Sequence, residues 1–200
     1  MRRLLYNISQ FKQVSMSIIE TDRLILRQWK EEDLAPFAAI NSDPIVMEFL
    51  WKCMTEGETA AMIEKIQRHF QKYGFGLFCA ESKATSECIG FIGLAVPDFE
   101  AHFTPCVEIG WRLASQVWGQ GLATEGARAV LKAGFEKYGL QEIVSFTVPA
   151  NKRSISVMEK IGMKRDLKGD FHNPKVSIEH RLSLHVLYRI TKEQYQNNNL

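Results

Sequence analysis

Apolar and small residues recur at Ala123, Ala127, Val130, Leu131, Gly134, Phe135 and Tyr138, the spacing of one buried helical face. Glu125, Arg128, Lys132, Glu136 and Lys137 take the opposite face, and Gly139 supplies a stop, since glycine enters the left-handed C′ conformation without strain. Ahead of this helix lies the stretch Gln116-Val117-Trp118-Gly119-Gln120-Gly121-Leu122-Ala123-Thr124, and ahead of that an apolar run over 106–113 that reads as a strand. The order is strand, glycine-rich turn, helix.

The flanking sequence reads as follows. Residues 18–27 form one strand, alternating at Leu24 and Leu26. Glu31, Glu32 and Asp33 open a helix with Leu34, Phe37, Ala38 and Ile40 behind them. Asp43 as N-cap and Pro44 at the first helical position begin a second short helix through Val46, Met47, Phe49 and Leu50. Thr55 and Glu58 make a capping box for a third, which runs through Ile63, Ile66 and Phe70 to Gly74. The period then shortens: 75–81 and 88–96 form an antiparallel hairpin about the polar turn 83–87. After the central helix come a strand over 142–148, a helix capped by Asn151 and ended by Gly162, and a last strand over 181–190 that closes the sheet. This predicts an α/β protein of the α+β type, a mostly antiparallel sheet with one parallel pair across the central helix. The domain spans 18–191, between an N-terminal extension (1–17) and a polar tail (192–200).

Two hundred residues with 46% hydrophobic content suit a single domain with a sizeable core. A net charge of +2 with interspersed signs gives no case for nucleic acid, and no apolar run approaches the ~20 residues of a membrane span. Cys53, Cys79, Cys88 and Cys106 show neither C-x-x-C pairs nor histidines at zinc spacing, so no metal is implied and reduced thiols in a cytoplasmic protein are expected. Residues 1–17 carry Arg2, Arg3 and Lys12 with Leu4, Leu5, Ile8 and Phe11 at helical spacing. A targeting peptide, a surface helix and an upstream start with Met16 as an internal candidate all fit them.

A glycine loop opening a helix is a phosphate site, because the first turn has free N–H groups and the positive dipole end. No lysine follows Gly121, so the loop is not a Walker loop, and no third glycine stands at dinucleotide spacing. Gln116-x-x-Gly119-x-Gly121 resembles the pyrophosphate loop of the GNAT superfamily of N-acetyltransferases. Further segments are similar to its branch named for ribosomal-protein alanine acetyltransferases (RimJ/RimL-like): Thr21-Asp22-Arg23-Leu24-Ile25-Leu26-Arg27, Ser42-Asp43-Pro44 with Val46-Met47, Glu108-Ile109-Gly110-Trp111, and Asn151-x-x-Ser154 with Gly162-Met163. The resemblance covers 18 to about 190.

It implies transfer of acetyl from acetyl-CoA to a primary amine, a protein N-terminus or a small amine, by direct attack in a ternary complex. Gln116, Gly119, Gln120, Gly121, Leu122, Ala123 and Thr124 would hold the pyrophosphate. The backbone of Trp111, Arg112 and Leu113 would hold the pantetheine arm, and Asn151 and Ser154 would meet the cofactor from the following helix. Glu108, on a strand heading for the cleft, is the candidate base, since partial burial there would raise its pKa; a structural Glu bonding a neighbouring strand or helix end is the other reading. Many relatives carry Tyr seven residues after the Asn as general acid; here that position is Met158, and Ser154, one turn earlier, is the candidate donor instead. Covalent catalysis is disfavoured, since no Cys lies in the cofactor motifs beside a base.

For the acceptor, Phe49, Trp51, Phe75, Phe99 and Phe103 are apolar candidates, and Glu48, Asp98 and Glu100 are candidates to hold a cation. A peptide calls for an open acidic groove and a small amine for a closed pocket. The Met158 departure also admits a non-catalytic acyl-CoA-binding module. An exposed final strand or helix could pair two copies.

Overall fold

The computed structural model describes residues 18–197; the readings of 1–17 and of the last three residues lie outside them. The 18–27 run is not one strand. It breaks at Asp22 and Arg23 into β1 (Ile19–Glu20) and β2 (Leu24–Arg27), paired antiparallel. The polar residues Thr21, Asp22 and Arg23 have no apolar side chain to bury, and Thr21 Oγ1 accepts a bond from Leu24 N at 3.0 Å that closes the turn.

A 3₁₀ turn (Glu31–Asp33) leads into α1 (Leu34–Ser42). Asp33, expected among the acids that open the helix, is buried. It accepts two parallel bonds from Arg27, Nη1 at 2.7 Å and Nη2 at 2.8 Å, and a third from Lys30 N at 2.7 Å. The helix expected from Asp43 does not form. Asp43 is the extended C-cap of α1, as a residue before proline prefers. Its carboxylate accepts from Ile45 N at 2.9 Å and Ser115 Oγ at 2.7 Å, and successive turns run on to Leu50. The capping box of α2 (Glu56–Tyr73) is present: Glu58 N donates to Thr55 Oγ1 at 3.2 Å and Thr55 N to Glu58 Oε2 at 2.9 Å, and Gly74 ends the helix at φ 76°.

The rest of the chain forms β3 (Leu77–Ser82), β4 (Cys88–Ala95), β5 (Glu108–Leu113), α3 (Leu122–Lys132), β6 (Glu142–Thr147), α4 (Lys152–Lys160), β7 (Lys164–His172), β8 (Leu184–Thr191) and α5 (Lys192–Asn197). α3 continues through a π turn, Ala133–Lys137, to Gly139. The strands make one eight-stranded sheet in the order β1-β2-β3-β4-β5-β6-β8-β7. All pairs are antiparallel except β5–β6, the expected parallel pair.

The final strand does not close the sheet. β8 lies between β6 and β7, and β7, which no sequence pattern singled out, is the edge. An edge strand needs little apolar alternation, and Leu167 on it is 85% exposed. With neighbours on both sides, β8 has no free edge for pairing two copies. α5 docks through Tyr195, whose ring centroid lies 4.9 Å from that of Phe135. α3 lies close on β4 because Gly126 has no side chain; a Cβ there would come within 2.4 Å of Ile92 Cδ1. Among the described residues no helix is long and apolar enough to cross a membrane.

Candidate active site

β5 and β6 share one paired position, Glu108 with Val144. Val144 N donates to Val107 O at 2.9 Å, and one residue on, the Ser145 hydroxyl donates to Ile109 O at 2.9 Å. Beyond that point the ladder stops, β5 pairing only with β4 and β6 only with β8. The two strands open as a wedge toward their C-terminal ends, where β5 runs into the glycine loop. A cavity of about 710 Å³ fills the wedge, bounded by the loop, the start of α3, α4 and the turns at Val46, Phe49 and Leu50.

The loop geometry depends on its glycines. Gly119 (φ 75°) and Gly121 (φ 81°) sit in the left-handed region, which β-carbons disfavour. A Cβ at Gly119 would meet nothing within 4 Å, so its surface is open to a ligand. Gly121 is the N-cap of α3, and Glu125 N is the first to bond back, to Gly121 O at 3.0 Å. The N–H groups of Leu122, Ala123 and Thr124 thus precede the helical ladder and are available to an anion. Glu125, in the same turn, is held ionised: burial works against its charge, but bonds from Thr21 Oγ1 (2.6 Å), Arg23 N (2.9 Å) and Arg23 Nε (2.7 Å) hold its pKa below the usual value. The Arg23 guanidinium, with Nη2 2.6 Å from Oε2, offsets that charge beside these N–H groups. Arg23 Nη1 also donates to Gln120 O at 2.8 Å, fixing the loop to the β1–β2 turn.

Of the residues singled out in the sequence, Glu108, Trp111, Arg112, Leu113, Gly119, Gly121, Leu122, Ala123, Thr124, Asn151 and Ser154 line this one cavity. Gln116 and Gln120 do not; both are exposed, and Gln120 Nε2 donates to Gln116 O at 3.3 Å. Trp118 is on the wall, with Nε1 bonded to Leu113 O at 2.9 Å and the Arg153 guanidinium 4.5 Å from its ring centroid.

The Glu108 carboxyl has no hydrogen-bond or ion-pair partner among the described residues. The alternative reading, a structural Glu bonding a neighbouring strand, is therefore not what forms. Burial pushes its pKa up to about 8. Asn151 caps α4, accepting from Ser154 N at 3.1 Å, while its Nδ2 donates to Thr147 Oγ1 at 3.1 Å. Met158 is fully buried among core residues and is absent from the cavity wall.

The acceptor candidates scatter. Phe49 is on the wall, Trp51 is exposed, Phe75 is in the main core, and Phe99 and Phe103 pack with Phe146 and Phe171 in a separate aromatic cluster. The acidic candidates do not line the cavity: Glu48 pairs with Arg153 at 3.0 Å, Asp98 with Lys65 and Lys175, and Glu100 is exposed. Asp33, Cys79 and Cys88 bring possible metal-ligand atoms within 4.8 Å of one another, but both Asp33 oxygens are already bonded to Arg27. The sequence reading missed Ser145, Thr147, Lys152, Ser156 and Lys160 on the wall. Ser145 and Thr147 carried a signal, polar residues alternating with the apolar Val144, Phe146 and Val148 on the same predicted strand.

A glycine-capped helix facing a wedge between parallel strands is the arrangement that the resemblance to the GNAT superfamily implies. A family model described as an acetyltransferase (GNAT) domain matches residues 23–164. The chain belongs to this GNAT family, and is an acetyl-CoA acetyltransferase. It is 36% identical over 144 residues to the uncharacterized Bacillus subtilis protein YkkB, covering 72% of this chain and 83% of that one. It is 34% identical over 128 residues to an Aspergillus fumigatus protein named FsC-acetyl coenzyme A-N(2)-transacetylase, covering 61% of this chain and 52% of that one. The crystal structure of a GNAT-family acetyltransferase from Bacillus anthracis superimposes with a TM-score of 0.71 at 27% identity, over 88% of this chain and 99% of that one.

Proposed function

We propose that this enzyme transfers acetyl from acetyl-CoA to the nitrogen of a small primary amine by direct attack, with Glu108 as the base. The observation that carries this is the unpartnered Glu108 carboxyl on the cavity wall where β5 and β6 part. Acetyl-CoA supplies the activated acyl group as a thioester. The N–H groups opening α3 and the open backbone of Gly119 suit its pyrophosphate, and the β5 edge beyond Ile109, unpaired on the β6 side, suits its pantetheine arm.

An alkyl ammonium, with a pKa near 10, yields its proton to Glu108 more readily than to an ordinary carboxylate, because burial has raised the proton affinity of Glu108. The freed nitrogen lone pair forms the N–C bond, the C–S bond breaks, and the second amine proton leaves with the thiolate as CoA. The Ser154 hydroxyl, on the facing helix, donates a hydrogen bond to the departing sulfur. A concave cavity with one carboxylate on its wall favours a small amine over a peptide held in an acidic groove. The free thiols Cys53, Cys79, Cys88 and Cys106 support a cytoplasmic setting.

The test is CoA release from acetyl-CoA, read by mass spectrometry against a panel of amines with a no-acceptor control. Acceptor-dependent release that drops in Glu108→Gln supports the proposal. Binding of acetyl-CoA with no release across the panel refutes transfer to an amine, and an unchanged rate and pH profile in Glu108→Gln removes the base.

A further inference from the structure

Arg112 shares a strand face with Glu108. Its register partner on β4 is Phe91, while that of Glu108 is Ala95, and both β5 side chains are on the cavity wall. The guanidinium has no carboxylate partner among the described residues. Nη1 donates to Asn41 Oδ1 at 2.6 Å and lies 3.8 Å from Met54 Sδ, and the group lies over the Phe91 ring at 5.4 Å. Nε is buried with no partner at all. Burial lowers its pKa to about 10, which still leaves it charged at neutral pH.

A buried charge is ordinarily paired, because its desolvation is otherwise uncompensated. This cavity therefore holds two unmatched groups, an acid and a cation. Gly110 stands between them on the same face, and a Cβ there would meet nothing nearer than Glu108 Oε1 at 3.9 Å, so the strip joining them is clear. The other charged wall residues, Lys152, Arg153 and Lys160, are also cations, which disfavours a polycationic acceptor.

We propose that Arg112 binds a carboxylate on the acceptor, so that the substrate is an amine with an acid group held at a distance from its nitrogen. This rests on the acetyl-transfer reading above. The two residues are four apart on the strand, roughly 13 Å between their Cα atoms at ~3.3 Å each, and the Glu108 carboxyl leans toward Gly110, so amine and acid are held apart along the strand by less than that span. An extended dipeptide at ~3.6 Å per residue falls inside it. The amine then meets Glu108 and the carboxylate meets the Arg112 fork.

The experiment compares matched acceptors by kcat/KM: glycylglycine and 6-aminohexanoate against their carboxamides and against 1,6-diaminohexane. The carboxylates should exceed the amides by about 10- to 100-fold, the value of a hydrogen bond to a charged group. In Arg112→Gln that ratio should collapse toward one through KM, and Arg112→Lys should retain part of it. Equal or better turnover of the amides or the diamine by the wild-type enzyme overturns the Arg112 assignment and leaves acetyl transfer standing. So does an Arg112→Gln enzyme that loses stability but keeps the carboxylate ratio. Acetyl-CoA binding without transfer to any amine overturns both readings.

Discussion

The Ser145 hydroxyl donates to the Ile109 carbonyl at 2.9 Å, across the point where two parallel strands separate. In a continued ladder a backbone N–H of β6 would fill that role. Here β6 turns away after Val144, and a side chain takes over, so the wedge opens without leaving the buried Ile109 carbonyl unsatisfied.

Ser145→Ala should therefore cost about 1–3 kcal/mol, the price of an unmet buried acceptor. It should also raise KM for acetyl-CoA, because the wedge would relax toward closure. Denaturant unfolding and initial rates check the two effects. Ser145→Thr, which keeps the hydroxyl, should recover most of both.

Glu108 has a folded pKa near 8, raised by burial. Its basic form grows as pH rises through that value, so kcat/KM should climb toward pH 8 and then level. Glu108→Gln should lower kcat by about 10²- to 10⁴-fold and remove this limb of the profile. The stability sign is opposite. Between the unfolded carboxyl value and about 8 the folded state binds the extra proton, so wild-type stability falls as pH rises across that window. The Gln variant should lack that fall, which Tm measured from pH 5 to 9 would show.

Two glycines with similar dihedrals separate backbone strain from ligand contact. Gly121 (φ 81°) caps α3 at the cavity, and Gly139 (φ 67°) ends the same helical run away from it. Alanine at either should cost about 1–2 kcal/mol of stability. Only Gly121→Ala should weaken acetyl-CoA binding as well, by about tenfold or more, because the strained residue caps the helix whose first N–H groups face the cavity and its β-carbon would stand 3.5 Å from Arg23 Nη2. Calorimetric titration beside thermal melts distinguishes the two.

Met158→Tyr should not create a general acid. The side chain at 158 is in the core rather than on the wall, so a larger ring there should destabilise by about 1–3 kcal/mol with no gain in rate. Ser154→Ala should lower kcat several-fold, chiefly for the most basic amines, with little change in Tm. A full-rate Ser154→Ala enzyme would remove that residue from the mechanism.

Local signals were read where a residue's role is fixed by its neighbours in the chain. The Thr55–Glu58 box, the Asn151 cap and the left-handed glycines at 74, 121, 139 and 162 all satisfy backbone groups within a few residues. Signals failed where a distant partner competed. Asp43 looked like a helix start, but Ser115 takes part of its carboxylate from 72 positions away. Asp33 read as one of the acids that open a helix, but it fills the Arg27 fork and is buried. Met158 and Ser154, one turn apart, looked equally placed; the helix rotation sends one inward and leaves the other on the wall.

By itself the sequence determined most of the elements, the glycine-capped helix and many of the residue types around the cavity, because hydrophobic period and capping are short-range; it missed the edge strand β7 and placed a helix after Asp43 that does not form. Only the tertiary structure decided that β8 inserts between β6 and β7, that the parallel strands part at Ser145, and that Arg112 and Glu108 stand unpaired on one wall. Strand order and the pairing of buried charges depend on which surfaces meet across the sheet, and one chain position carries no record of its partner.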